Sequence, residues 1–192
     1  GNSFLAVYAD DFIAGFQYKE DAERYYALLK ERLKKFNLEL EESKSRMIEF
    51  GKYAEINSKR KYGRKAETFN FLGFTLYCGK SRHSGEFCVK LKTNSKKFTQ
   101  KLKQTKEWLY QNNDLPVKDL ITRLNKKLVG HYRYYGVSHN INKLSAFLHY
   151  VQRYLFKVLN RRSHKKSYTW DGYIDMLKVY PLAKPKIYVK LF

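Results

Sequence analysis

Asp10 and Asp11 stand side by side between two short apolar runs, Phe4 to Tyr8 and Phe12 to Phe16. Carboxylates at that separation raise each other's pKa or draw in a cation. Divalent magnesium with phosphate oxygens meets that demand in phosphoryl chemistry, where one ion activates an attacking hydroxyl and another steadies the leaving group. A solvated Asp-Asp turn would account for the same residues without chemistry, and spacing alone leaves both readings open. Either way, two apolar runs joined by Ala9-Asp10-Asp11 predict a β-hairpin with the carboxylates at its tip.

The second group with chemical potential is cationic. The formal charge is +21, but residues 1–50 hold 8 Lys or Arg against 10 Asp or Glu, whereas residues 51–192 hold 31 against 8. Such an excess points to a polyanionic partner. Lys96, Lys97, Lys101, Lys126 and Lys127 are spread over helical stretches, and phosphate contact by such residues positions a nucleic acid without reading its bases. His131-Tyr132-Arg133-Tyr134-Tyr135 mixes rings with charge, a composition suited to stacking on unpaired bases, with Tyr132 and Tyr135 expected to be buried and Arg133 exposed. Arg161, Arg162, His164, Lys165 and Lys166 form the densest late cluster. No apolar run approaches the roughly 20 residues that span a bilayer, so a soluble chain with no membrane partner is expected. Cys78, His83 and Cys88 lack the paired short spacings and the fourth ligand of a structural zinc module and read as residues of a strand pair.

The elements that must position these groups follow from periodicity. Ala22, Tyr25, Tyr26, Leu29, Leu33 and Phe36 recur at helical spacing over 21–36. Leu38 to Leu40 and Met47 to Phe50 read as short strands, and residues 51–68 as a basic loop or insert. Phe69 to Tyr77, with Gly73 as a bulge, can pair with Phe87 to Leu91. Helices are predicted over 96–110, from Pro116 to about Val129 with Gly130 ending it, over 141–159, and over 170–179 with Thr169 as cap. The whole is an α+β chain divided into 1–91 and 92–192.

Tyr8-Ala9-Asp10-Asp11 between apolar strands resembles the YADD motif of reverse transcriptases. The likeness extends along most of the chain: residues 38–50 with Lys44 resemble motif D, Phe69-Asn70-Phe71-Leu72-Gly73-Phe74 resembles the primer grip, and residues 124–136 are similar to the maturase-specific region of group II intron-encoded proteins. The resemblance implies a partial reverse-transcriptase palm over 1–91, then a mainly helical thumb and maturase region over 92–192. It makes Asp10 a magnesium ligand and Asp11 either a second ligand or a contributor to the local field, sets Tyr8 against the primer end or incoming nucleotide, and brings Lys44 toward the triphosphate. Phe71, Leu72 and Gly73 would meet the primer strand, with Lys80 and Arg82 on nearby phosphates. The basic body, including Arg161, Arg162, Lys165 and Lys166, would hold intron RNA.

The implied reaction is RNA-templated extension of a DNA primer, with magnesium in the complete enzyme. Two-metal catalysis needs a further carboxylate opposite the pair. The nine residues before Asp10 contain no acid. The isolated chain is therefore expected to bind RNA, hold magnesium weakly and not polymerise, which leaves its standing as an enzyme open. The alternative is a non-catalytic RNA-binding splicing or scaffold module. Uncovered palm surface is expected to favour a homodimer, and the expected compartment is the bacterial cytoplasm, with an organelle as the alternative.

Overall fold

The computed structural model describes residues 1–81, 84–162 and 168–191. Arg82, His83, His164, Lys165 and Lys166, which figured in the sequence reading, lie outside them. The chain forms two compact units, Gly1–Glu67 and Thr68–Phe192. The sequence reading divides the chain at 91/92 instead.

In the amino-terminal unit, β1 (Ser3–Tyr8) and β2 (Asp11–Phe16) pair antiparallel from Ser3↔Phe16 to Tyr8↔Asp11. Helix α1 (Lys19–Lys34) follows, with Glu20 and Asp21 in its first turn and Arg32 and Lys34 in its last, the arrangement that complements the helix dipole. The turn that follows it closes at Asn37, whose φ of 54° is left-handed, with the Leu38 N–H donating to the Leu33 carbonyl at 3.0 Å. Ala22, Tyr25, Tyr26, Leu29 and Leu33 are only half-buried, and Phe36 is exposed. Tyr25 meets Phe16 of β2 with ring centroids 5.1 Å apart.

Two sequence expectations change in this unit. The segments 38–40 and 47–50 are not strands, since among the described residues this sheet holds only β1 and β2 and offers them no ladder. The supposed basic loop contains helix α2 (Ala54–Tyr62), with Glu55 in its first turn and Lys59, Arg60 and Lys61 in its last. Good helix formers and dipole-matched charge built it, although it has too few apolar positions to show a period.

In the carboxy-terminal unit, β3 (Phe69–Phe71), β4 (Phe74–Lys80) and β5 (Phe87–Thr93) form an antiparallel sheet in sequence order. Helices α3 (Ser95–Gln111), α4 (Val117–Tyr135), α5 (Ile141–Asn160) and α6 (Trp170–Val179) follow. Their core is built on Leu109, Leu120, Leu124, Leu144, Val151 and Leu155, each completely buried. The Asn94 side chain caps α3 and the Thr169 hydroxyl caps α6. Helix α4 does not stop at Gly130 but runs through it to Tyr135, because the apolar face continues into Tyr132.

The tail after α6 runs extended along this unit. Asn125 of α4 clamps it twice, donating to the Pro181 carbonyl at 2.9 Å and accepting from the Ala183 N–H at 2.8 Å. Farther on, the N–H groups of Tyr188 and Val189 both donate to the Gly136 carbonyl. A Cβ on Gly136 would stand 2.6 Å from the Lys186 carbonyl, so this approach of chain to chain requires glycine. No helix among the described residues is long and apolar enough to cross a membrane.

Candidate nucleic-acid interface

The β1–β2 turn consists of Ala9 and Asp10, with Asp11 opening β2. Ala9 holds a left-handed φ of 53°, a conformation that costs a non-glycine residue about 1 kcal/mol. The carboxylates of Asp10 and Asp11 are exposed and have no hydrogen-bond or ion-pair partner among the described residues. Their oxygens suit a hard cation such as magnesium. No group of three metal-ligating side chains gathers among the described residues. Tyr8 stands beside them, 64% exposed, and the rest of β1 is equally open, with Phe4 and Val7 both at 63%.

Lys44 is exposed in the turn after α1, where its backbone N–H donates to the Glu41 carbonyl at 3.0 Å. Glu41 is held below the usual carboxylate range by a hydrogen bond from Ser43 and, secondarily, by the Lys44 charge.

In the other unit, Leu72 and Gly73 make the two-residue turn between β3 and β4, with φ of 48° and 77°. Two positive values define the hairpin turn that matches strand twist, so Gly73 is a turn residue and not the expected bulge. The turn is pinned to the end of α4. The Tyr134 hydroxyl donates to the Leu72 carbonyl at 3.0 Å, Phe74 stacks on Tyr134, and a Cβ on Gly73 would lie 3.0 Å from the Tyr135 hydroxyl oxygen. Turn geometry alone accounts for the glycine. Phe71 closes the hairpin opposite Phe74, and Lys80 sits exposed at the far end of β4.

Behind the turn a buried polar knot joins the sheet to the helices. Asn140, fully buried, accepts from the Thr93 N–H at 2.8 Å and donates to the Thr93 hydroxyl at 2.8 Å and the Tyr135 carbonyl at 2.9 Å. Every polar group of its side chain is thereby used.

Helices α3, α4 and α5 carry the cations. Residues 95–160 hold 13 Lys or Arg against 3 Asp or Glu. Lys96 and Lys97 lie in the first turn of α3, where positive charge opposes the dipole and no acid compensates. This placement costs stability and favours an anion. Lys97 and Lys101 of α3 and Lys127 of α4 line a cleft of about 480 Å³ floored by Phe147 of α5. None of the three has an ion-pair partner among the described residues. Lys126 and Arg133 face a second hollow across α4, so the predicted cations divide between two faces.

Aromatic rings lie among these charges. Lys127 stands over Trp108, Lys106 over Tyr110 and Tyr154, and Arg161 over Tyr110 at 5.2 Å. Arg161 and Arg162 are exposed at the end of α5. As expected, Arg133 is exposed and Tyr132 buried, while Tyr135 is half-buried. Trp108, Gln100 and Gln104 were not anticipated as part of the interface. The signal that could have found them was the α3 spacing 97, 100, 101, 104, which puts lysines and glutamines on one face.

His131 is 5% exposed, stacked on Phe147 at 3.9 Å, and neither ring nitrogen has a partner among the described residues. Burial, aided by the charge of Lys101, lowers its pKa to about 4, so the ring is neutral at pH 7. Gly130 precedes it inside α4, where glycine costs about 1 kcal/mol relative to alanine.

Comparison with known proteins adds the family. Residues 2–76 match the family model for reverse transcriptase (RNA-dependent DNA polymerase), and residues 95–173 match the group II intron, maturase-specific domain. Neither the curated proteins nor the solved structures gave a match. The first match carries the strained carboxylate tip and the docked β3–β4 turn, and the second carries α3 to α5 with their unneutralised cations. With both domains present in this order, the chain belongs to the group II intron-encoded reverse transcriptases and maturases.

Proposed function

We propose that the carboxy-terminal unit holds intron RNA on the lysine-bearing surface of α3, α4 and α5, in support of splicing. In the same reading Asp10 and Asp11 supply two of the oxygen ligands for magnesium during extension of a DNA primer on an RNA template. Magnesium, when bound there, would lower the pKa of the attacking hydroxyl and neutralise phosphate charge. The chain's own part is to present two adjacent carboxylates, one on the β1–β2 turn and one at the start of β2, and to anchor the nucleic acid electrostatically. The observation that carries the RNA reading is the excess of 13 cations over 3 acids across residues 95–160, with the cleft lysines free of ion pairs among the described residues.

Fluorescence anisotropy with a structured RNA across a salt series tests it. Replacing Lys97, Lys101 and Lys127 together by Gln is expected to lower affinity on the order of 30-fold at moderate salt and to flatten the salt dependence by roughly two phosphate contacts. An unchanged salt slope would sink this surface as the RNA site. Asp10→Ala is expected to leave RNA affinity unchanged while abolishing any magnesium-dependent primer extension. RNA binding without extension in either protein would favour a non-catalytic splicing or scaffold role.

A second reading rests on β1, whose exposed Phe4, Leu5 and Val7 support pairing of two copies of the chain. Sedimentation should then depend on concentration, and a monomer over the full range would exclude it.

A further inference from the structure

The cleft between α3 and α4 has a construction that general phosphate attraction does not require. Lysines on a smooth helical face would suffice to hold an RNA backbone. Here Lys97, Lys101 and Lys127 instead rim a hollow of about 480 Å³, within the size range of pockets that enclose small organic ligands. Gln100 and Gln104 add amides that both donate and accept hydrogen bonds. His131, also on the lining, is neutral and buried, with one ring nitrogen able to donate and the other to accept, and both without a partner among the described residues.

Gly130 supplies an independent observation. Glycine is among the poorest residues for a helix interior, and a close neighbour usually explains it. None does so here, because a Cβ built on Gly130 meets nothing within 4 Å. The backbone is ordinary too, since Gly130 is not among the positive-φ glycines. What the missing side chain leaves is open space along the edge of α4 between this cleft and the hollow across the helix, both of which Gly130 lines. A position that is poor for the helix and unused by the described residues is suited to the close approach of a ligand.

We propose that this cleft receives one unstacked nucleotide of bound RNA, its phosphate on Lys97, Lys101 and Lys127 and its base passing the open flank of Gly130 toward Gln100, Gln104 and His131. Unpaired bases can be splayed out and read on their edges by such donors and acceptors, whereas bases within a helix cannot enter a hollow. The inference rests on the RNA-binding reading above and adds a preference for single-stranded nucleotides.

The test compares two RNAs, a blunt duplex and a hairpin of similar charge with an unpaired loop, binding to the full chain with Gly130, Gly130→Ala or Gly130→Leu. Both variants should melt no lower than the parent, since the new side chain enters open space. Affinity for the looped RNA is expected to fall severalfold with Ala and at least tenfold with Leu, while duplex affinity stays constant. Gln100→Ala with Gln104→Ala, both exposed, should reproduce the selective loss if the leucine variant folds poorly. Equal loss for both RNAs, or no loss in folded variants, would overturn the nucleotide site while leaving general RNA binding intact. A parent chain that binds neither RNA would overturn both readings. Displacement of the looped RNA by free nucleoside monophosphate would reassign the cleft to a free nucleotide and overturn the proposal as stated.

Discussion

Asn140→Ala is expected to destabilise the carboxy-terminal unit by about 2–4 kcal/mol, an order-of-magnitude figure built from the buried bonds it removes. Deleting the side chain strands the Thr93 N–H, takes a partner from the Thr93 hydroxyl and leaves the Tyr135 carbonyl with the Val137 N–H alone. Asn140 is 0% exposed and Thr93 1%, so water cannot replace these bonds without the fold opening. Each buried orphan costs about 1–3 kcal/mol, whereas an ordinary hydrogen bond contributes only about 1. Asn94→Ala is the matched comparison. It removes the cap that accepts from the Lys96 and Lys97 N–H groups at a more open site, and about 1 kcal/mol is expected. Urea unfolding of both variants checks the ranking, and equal losses would show that the buried knot has no special weight.

The second large effect is a loss of stability in acid. His131 has a folded pKa of about 4 against an ordinary value of 6.5. Between those values the unfolded chain takes up a proton that the native ring refuses, so stability falls as pH drops from 6.5 to 4 and is level above 6.5. The difference of roughly 2.5 units corresponds to about 3 kcal/mol lost across that window. His131→Phe keeps a ring against Phe147 and removes the titration. Its stability curve should therefore be flatter than the parent's between pH 6.5 and 4. Glu41, Glu42 and Glu49 of the amino-terminal unit, held below their ordinary value by hydrogen bonds from Ser43, Lys30 and Asn57 respectively, also lose stability as pH falls below 4.5, but both proteins share that contribution. Parallel curves for parent and variant would refute the assignment.

Much of this architecture was legible because its elements bury one face. The alternation around Asp10 and Asp11 predicted the hairpin, and the spacing of Leu144, Phe147, Val151 and Leu155 predicted α5, since burial imposes those periods. Helix α2 was not legible, because it forms from charge placement and propensity with only Ala54 buried. The segments 38–40 and 47–50 have strand-like composition, yet a strand needs a partner, which composition does not report. Gly130 and Gly73 were exchanged in meaning for a related reason. A glycine reads as punctuation in a sequence, but whether it ends a helix, makes a turn or leaves a gap depends on neighbours distant along the chain. The cleft was illegible as a cavity, although its lysines were named, because His131 and Gly130 acquire their significance only when α3 is set across from them.

The docking of the β3–β4 turn on Tyr134 and Tyr135 also bears on how such a chain can be rearranged by recombination. The reverse-transcriptase match ends at residue 76, within β4, and the maturase match begins at residue 95, so the seam between the two inherited modules runs through a single sheet. An exchange of modules at residue 76 would part Phe74 and the Leu72-Gly73 turn from the β5 strand and the tyrosines that hold them. An exchange at the Glu67–Thr68 junction would instead carry the sheet along with its helices. Chimeras joined at that junction should inherit a closed carboxy-terminal body, whereas those joined at the family boundary must rebuild the contact between turn and tyrosine from two lineages.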